Sequence, residues 1–126
     1  MKYFVDTHLL VWRLIEPRRL SKMEKGLFSD SHAEFLIPTV VLLEIQYLTE
    51  IKRIEIDMDE ALAAIQEDPS FQLAPFDETA MLHAFRLTTT RDPFDRMILA
   101  QALASSTKIL TRDRWMKETA PHLVVP

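Results

Sequence analysis

Four carboxylates in this chain stand where apolar runs begin or end. Asp6 closes "KYFVD", Glu44 lies within "TVVLLEI", Asp95 opens the apolar part of "RDPFDRMILAQA", and Asp113 follows "KILTR". Drawn to one place, four like charges would raise one another's pKa. A divalent cation resolves that conflict. Ligation by oxygen alone, without cysteine or a paired-histidine motif, favours Mg²⁺ or Mn²⁺ over zinc. The histidines His8, His32, His83 and His122 have no ligand-like spacing and read as structural or surface residues; His8, two positions after Asp6, is the one to watch.

The elements around these acids decide whether they meet. Five short β-branched or apolar runs, "KYFVD", "EFLIP", "FQLAPF", "TKILT" and "HLVVP", read as strands, with helical periodicity between them. Ser21, Thr39 and Asp77 are expected to cap helices, and Pro93 suits a first helical position with Asp92 as its cap. Strands alternating with helices predict a parallel sheet covered on both faces. The expected fold is therefore α/β: a three-layer α/β/α sandwich with a central, mostly parallel sheet of about five strands, in one domain over residues 1–126.

Open parallel sheets bind ligands beyond the carboxyl ends of their strands. Asp6 ends the first strand, and Thr111 and Asp113 follow the fourth. Both aspartates could equally be helix caps. Glu44 has Val40, Val41, Tyr47, Leu48 and Ile51 as helical neighbours, an apolar stripe in which a carboxylate is costly unless paired or metal-bound. A buried salt bridge would also satisfy it. Asp95 shares a face with Ile98, Leu99 and Ala102. Its helix runs antiparallel to the "KIL" strand, so the helix start lies at the edge that holds Thr111 and Asp113. A helix dipole would welcome an acid there for only ~0.3–1 kcal/mol, and it does not require the core-facing side.

Composition narrows the classes. The net charge of −4 argues against a protein that coats nucleic acid, though not against an enzyme acting on it. Basic residues cluster around Arg13–Lys25, Arg86–Arg96 and Lys108–Lys117, where solvated surface is the plain reading. Gly26 is the only glycine, which removes Gly-rich phosphate loops. No apolar run nears the ~20 residues of a membrane span. The N-terminus makes a poor signal peptide. Without cysteine there is no disulfide, and a cytoplasmic setting is the default expectation. A phosphoacceptor receiver domain shares the layering but would need an acidic pair at the first strand end and a suitably placed lysine, both missing.

In order along nearly the whole chain, "FVDTHLLVW", "TVVLLEI", "RDPFDRMILAQA" and "ILTRD" resemble the four motifs of the PIN-domain ribonucleases, in particular the VapC-type toxins of bacterial toxin–antitoxin pairs. The third motif is the most specific, while Leu42 and Leu43 before Glu44 depart from the subgroup's second motif. The resemblance implies a PIN-like fold with Asp6, Glu44 and Asp95 as an acidic triad and Asp113 as its more variable fourth member. Asp6, Asp95 and Asp113 would ligate the metal, and Glu44 would ligate it through water or orient the nucleophile. Thr7, Asp92 and Thr111 match supporting polar positions. Arg96, Arg112 and Arg114, next to the acids in sequence, are candidates to hold RNA phosphates. The implied activity is Mg²⁺- or Mn²⁺-dependent endoribonucleolytic hydrolysis by the toxin of a type II pair, with an antitoxin partner and a homodimeric state. The contrasting expectation is a catalytically inactive PIN module that binds antitoxin or RNA in a regulatory complex; a complete set of four acids speaks against it.

Overall fold

The computed structural model describes residues 1–125. Five strands, β1 (Lys2–Val5), β2 (Glu34–Pro38), β3 (Phe71–Ala74), β4 (Lys108–Leu110) and β5 (Val124–Val125), pair in parallel throughout, in the order β3-β2-β1-β4-β5. The chain steps from β1 outward to β3, then returns to the other side of β1 for β4 and β5. Right-handed crossovers put the helices of these two runs on opposite faces, which makes the layers α/β/α. The direction reverses between β1 and β4, and the crevice beyond their carboxyl ends is where such sheets bind ligands.

Among the described residues seven α-helices connect the strands: α1 (Thr7–Ile15), α2 (Lys22–Phe28), α3 (Thr39–Glu50), α4 (Met58–Glu67), α5 (Glu78–Ala84), α6 (Pro93–Ser105) and α7 (Arg114–Thr119). A 3-10 turn at Pro17–Arg19 separates the first two. Ser21 and Glu24 form a reciprocal capping box on α2, and Asp57 and Asp77 cap α4 and α5. Thr39 does not cap α3 as expected. It is already the first helical residue, and Pro38 in the cap position offers no side-chain acceptor. The strand thus passes into the helix without a loop, which brings α3 and Glu44 up to the sheet edge.

The sheet buries both faces. Val5, Phe35, Ile37, Ile109 and Leu110 contribute no more than a trace of exposed surface, and Leu10, Ile45, Ile98, Leu99 and Met116 pack over them from the helices. The parallel β1–β4 register pairs Val5 with Leu110, and the next link is a bond from the Asp6 amide to the Leu110 carbonyl at 3.0 Å. That bond closes the edge on which the acids sit. α6 returns to β4 through Ser106 and Thr107 alone, with Ser106 in the left-handed region at φ 50°. So short a return fixes α6 antiparallel to β4, with its N-terminal end at the same edge.

The predicted apolar stripe on α3 divides. Val40, Val41 and Ile45 are core, whereas Leu43, Tyr47 and Ile51 are exposed along one face. Met81 and Leu82 of α5 and Phe85 at its C-cap are exposed as well, and Tyr47 lies over Phe94 with ring centroids 6.0 Å apart.

Candidate active site

Asp6 is fixed three ways. Its backbone amide bonds across to β4, its Oδ1 accepts from the Thr7 amide at 2.8 Å, and its Oδ2 accepts from Thr111 Oγ1 at 2.6 Å. It is both the cap of α1 and a buried acid, 7% exposed, so capping and a place in the cleft are compatible. The Thr7 hydroxyl donates to Glu44 Oε1, joining the start of α1 to α3. Thr111 Oγ1 accepts from the Asp113 amide at 3.0 Å, and Asp113 Oδ1 accepts from the Met116 amide at 2.9 Å to cap α7. Thr7 and Thr111 are thus the two hydroxyls that position the acids.

Asp92 and Asp95 divide their labour. Asp92 is exposed and caps α6, its Oδ1 accepting from the Phe94 amide at 2.9 Å and the Asp95 amide at 3.1 Å. The half-buried Asp95 carboxylate joins the others in one cleft of about 300 Å³. Asp6, Glu44, Asp92, Asp95 and Asp113 line it with His8, Leu9, Trp12 and Arg112.

The electrostatics follow from the crowding. Burial, then repulsion from Asp6, Asp92, Asp113 and Glu44, pushes the Asp95 carboxyl up to about 8. Burial also raises Asp6, offset in part by its hydrogen bonds from Thr111 and Thr7. It raises Glu44 likewise, against the Thr7 bond, with repulsion from Asp6 and Asp92 added. Four to five acids in one cleft, one of them held neutral near pH 7, form an oxygen donor set that fits a divalent cation. As they stand, no three acidic or histidine side chains among the described residues close into a coordination group. The Asp6 and Glu44 oxygens point instead at their threonine donors.

Of the three arginines expected near phosphate, only two keep their guanidinium ends open. Arg112 donates Nε to Glu24 Oε2 at 2.9 Å and one Nη to Glu24 Oε1 at 2.6 Å and to the Arg19 carbonyl at 3.0 Å. It lies 4.6 Å from the Trp12 ring centroid, and Arg19 lies 4.9 Å from it. Arg112 is therefore a tie between the β4–α7 loop and α2, and its donors are largely engaged. Arg96 donates Nε to the Leu87 carbonyl at 2.6 Å, and Arg114 is exposed on α7. Sequence reading missed Trp12 and Glu24. Glu24 shows only as the third residue of a capping box, and its partner is 88 positions away.

An all-parallel five-stranded domain with acids gathered at its topological switch point is the class that fold and site define. The chain belongs to the PIN domain family, whose model matches residues 3–121. Solved structures of similar fold include the following three. One is VapBC2 from Rickettsia felis bound to a DNA fragment from its promoter (TM-score 0.74, 15% identity, 100% of this chain and 98% of that one). Another is a toxin–antitoxin complex from Klebsiella pneumoniae (TM-score 0.69, 15% identity, 98% and 96%). The third is FitAcB from Neisseria gonorrhoeae (TM-score 0.68, 17% identity, 100% and 97%). No curated protein sequence matches the chain.

Proposed function

We propose that this chain is a Mg²⁺- or Mn²⁺-dependent endoribonuclease that hydrolyses RNA phosphodiester bonds as the toxin of a type II toxin–antitoxin pair. The observation that carries the reading is the meeting of Asp6, Glu44, Asp95 and Asp113 in one cleft at the β1/β4 switch point. Membership of the PIN family, whose domains are generally nucleases, supports the reaction class. The resemblance in fold to chains from toxin–antitoxin complexes supports the role.

Asp6, Asp95 and Asp113 would hold the metal, with Glu44 acting through water or orienting the attacking water. A bound divalent ion would supply Lewis-acid polarisation of the phosphate and a water of lowered pKa. The chain's own work is positioning. Thr111 and the Thr7 amide fix the two Asp6 oxygens, the Thr7 hydroxyl fixes Glu44, and α6 aims Asp95 into the cleft. Asp95 would have to give up a proton to ligate a cation, because burial and its acidic neighbours push its carboxyl up to about 8.

Partners follow from surfaces. The exposed Leu43, Tyr47, Ile51, Met81, Leu82 and Phe85 give α3 and α5 an apolar face suited to a homodimer, and an amphipathic antitoxin segment would inhibit the enzyme. No described helix is long and apolar enough to cross a membrane, and the cytoplasm is the proposed site of action. The test is cleavage of RNA by the purified chain with Mg²⁺ or Mn²⁺. Activity that vanishes in Asp6→Ala and Asp95→Ala proteins supports the reading, and full activity in the well-folded double variant refutes it.

A further inference from the structure

A substrate polyanion must approach a cleft lined by five carboxylates, so cations beside that cleft decide how it lies. Arg112 is held by Glu24 and largely withdrawn from that role. A second cavity of about 490 Å³ adjoins the cleft and shares Asp92 with it; its other lining residues are Thr88, Thr90, Arg91, Pro93 and Arg96. Two hydroxyls and two guanidinium groups make up most of its polar lining, with the Asp92 carboxylate, engaged in capping α6, and Pro93 beside them.

The cavity is built on a braced loop. Arg96 Nε is pinned to the Leu87 carbonyl at 2.6 Å, which orients the rest of its guanidinium. Thr89 Oγ1 accepts from Trp115 Nε1 at 2.8 Å, tying the loop to α7. Thr90 Oγ1 accepts from the Asp92 amide at 3.2 Å and retains its own proton to donate. Among the described residues neither Arg91 nor Arg96 has an ion-pair partner. The amides at the start of α6 are not the anion binder, because Asp92 already caps them.

We infer that Thr88, Thr90, Arg91 and Arg96 form a subsite for a backbone phosphate of single-stranded RNA neighbouring the scissile one. The subsite rests on the nuclease reading and adds to it the path of the strand over the surface. One phosphate sits at the carboxylates and an adjacent one on the α5–α6 loop, so the RNA runs from the β1/β4 edge across Asp92. Guanidinium and hydroxyl groups bind phosphate in any sequence, so the subsite contributes affinity and register rather than base choice.

The test uses the full chain carrying Asp95→Asn, so that RNA is bound without being cut, and a labelled single-stranded RNA followed by anisotropy over a salt series. Arg91 is exposed and its guanidinium has no ion-pair partner among the described residues, so Arg91→Gln changes the subsite without disturbing the loop. It should weaken binding roughly three- to tenfold and flatten the salt dependence by about 0.7 in log–log slope, one cation's worth. Arg91→Lys should recover most of the loss. Lys2→Gln, at the opposite end of the sheet, should change neither. In the cleaving protein Arg91→Gln should raise KM while kcat holds. RNA binding and cleavage that Arg91→Gln and Thr88→Val leave unaltered would overturn the subsite while the nuclease reading stands. RNA that neither binds nor is cut, whatever the variant, would remove the nuclease reading and the subsite with it.

Discussion

A half-buried carboxyl pushed up to about 8 is mostly neutral in the physiological range, and Asp95 is that residue here. Its folded pKa lies above the ordinary value of about 3.9, so the folded state holds the extra proton between the two. Stability from this group is then greatest below about pH 4 and declines as pH rises through about 8. Asp95→Asn removes the repulsion and should stabilise the metal-free chain at pH 8 by about 1–2 kcal/mol, discounted from 1.4 kcal/mol per pKa unit because solvent still reaches the group. Urea melts at pH 5 and pH 8 check this, and a gain that is larger at pH 5 would have the wrong sign. The same substitution should cut RNA hydrolysis roughly 10²-fold or more. Metal uptake by the parent chain at pH 7 should release about one proton, read from titrations in buffers of different ionisation enthalpy.

At the scale of elements, two short connections hold the site. Thr111 leaves β4 and donates to Asp6, so Thr111→Val strips one Asp6 oxygen of its donor and should cost about 1–3 kcal/mol, seen as a lowered Tm. Ser106 turns α6 into β4 from the left-handed region, where a Cβ is unfavourable. Ser106→Gly should therefore stabilise the chain by about 0.5–1 kcal/mol in denaturant melts, with activity unchanged. Much of this layer was legible in the sequence. Strand ends, the Pro93 start and the Ser21 and Asp92 caps are local signals, and they sufficed to send Asp6, Asp95 and Asp113 to one edge. Thr39 misled because a hydroxyl near a helix start looks like a cap, whereas the strand runs straight into α3 and makes it the first helical residue. The α3 stripe misled differently: periodicity finds an apolar face but cannot say whether it meets the core or the solvent, and Tyr47 and Ile51 meet the solvent.

At the scale of the whole molecule, the Glu24–Arg112 pair connects α2 to the loop that presents Thr111 and Asp113. No pattern within a window of sequence could pair residues so far apart. Glu24 is 4% exposed, and its hydrogen bonds from Arg112 hold its carboxyl below the ordinary range. That contribution is present above about pH 4 and lost as pH falls further, opposite in sign to Asp95. Glu24→Ala removes the acceptor of the Arg112 guanidinium and of the Ser21 amide and should cost about 1 kcal/mol, because the exposed Arg112 it frees is hydrated, and it should also slow cleavage by loosening Asp113. Whether the acids form a metal-dependent RNA-cleaving centre is decided by incubating purified chain with a defined single-stranded RNA, with Mn²⁺ or with chelator, and mapping the product ends. Discrete ends that require the metal and disappear in Asp6→Ala and Asp95→Ala are the predicted result. Ends of the same position and yield in chelator, or in the folded double variant, would contradict it.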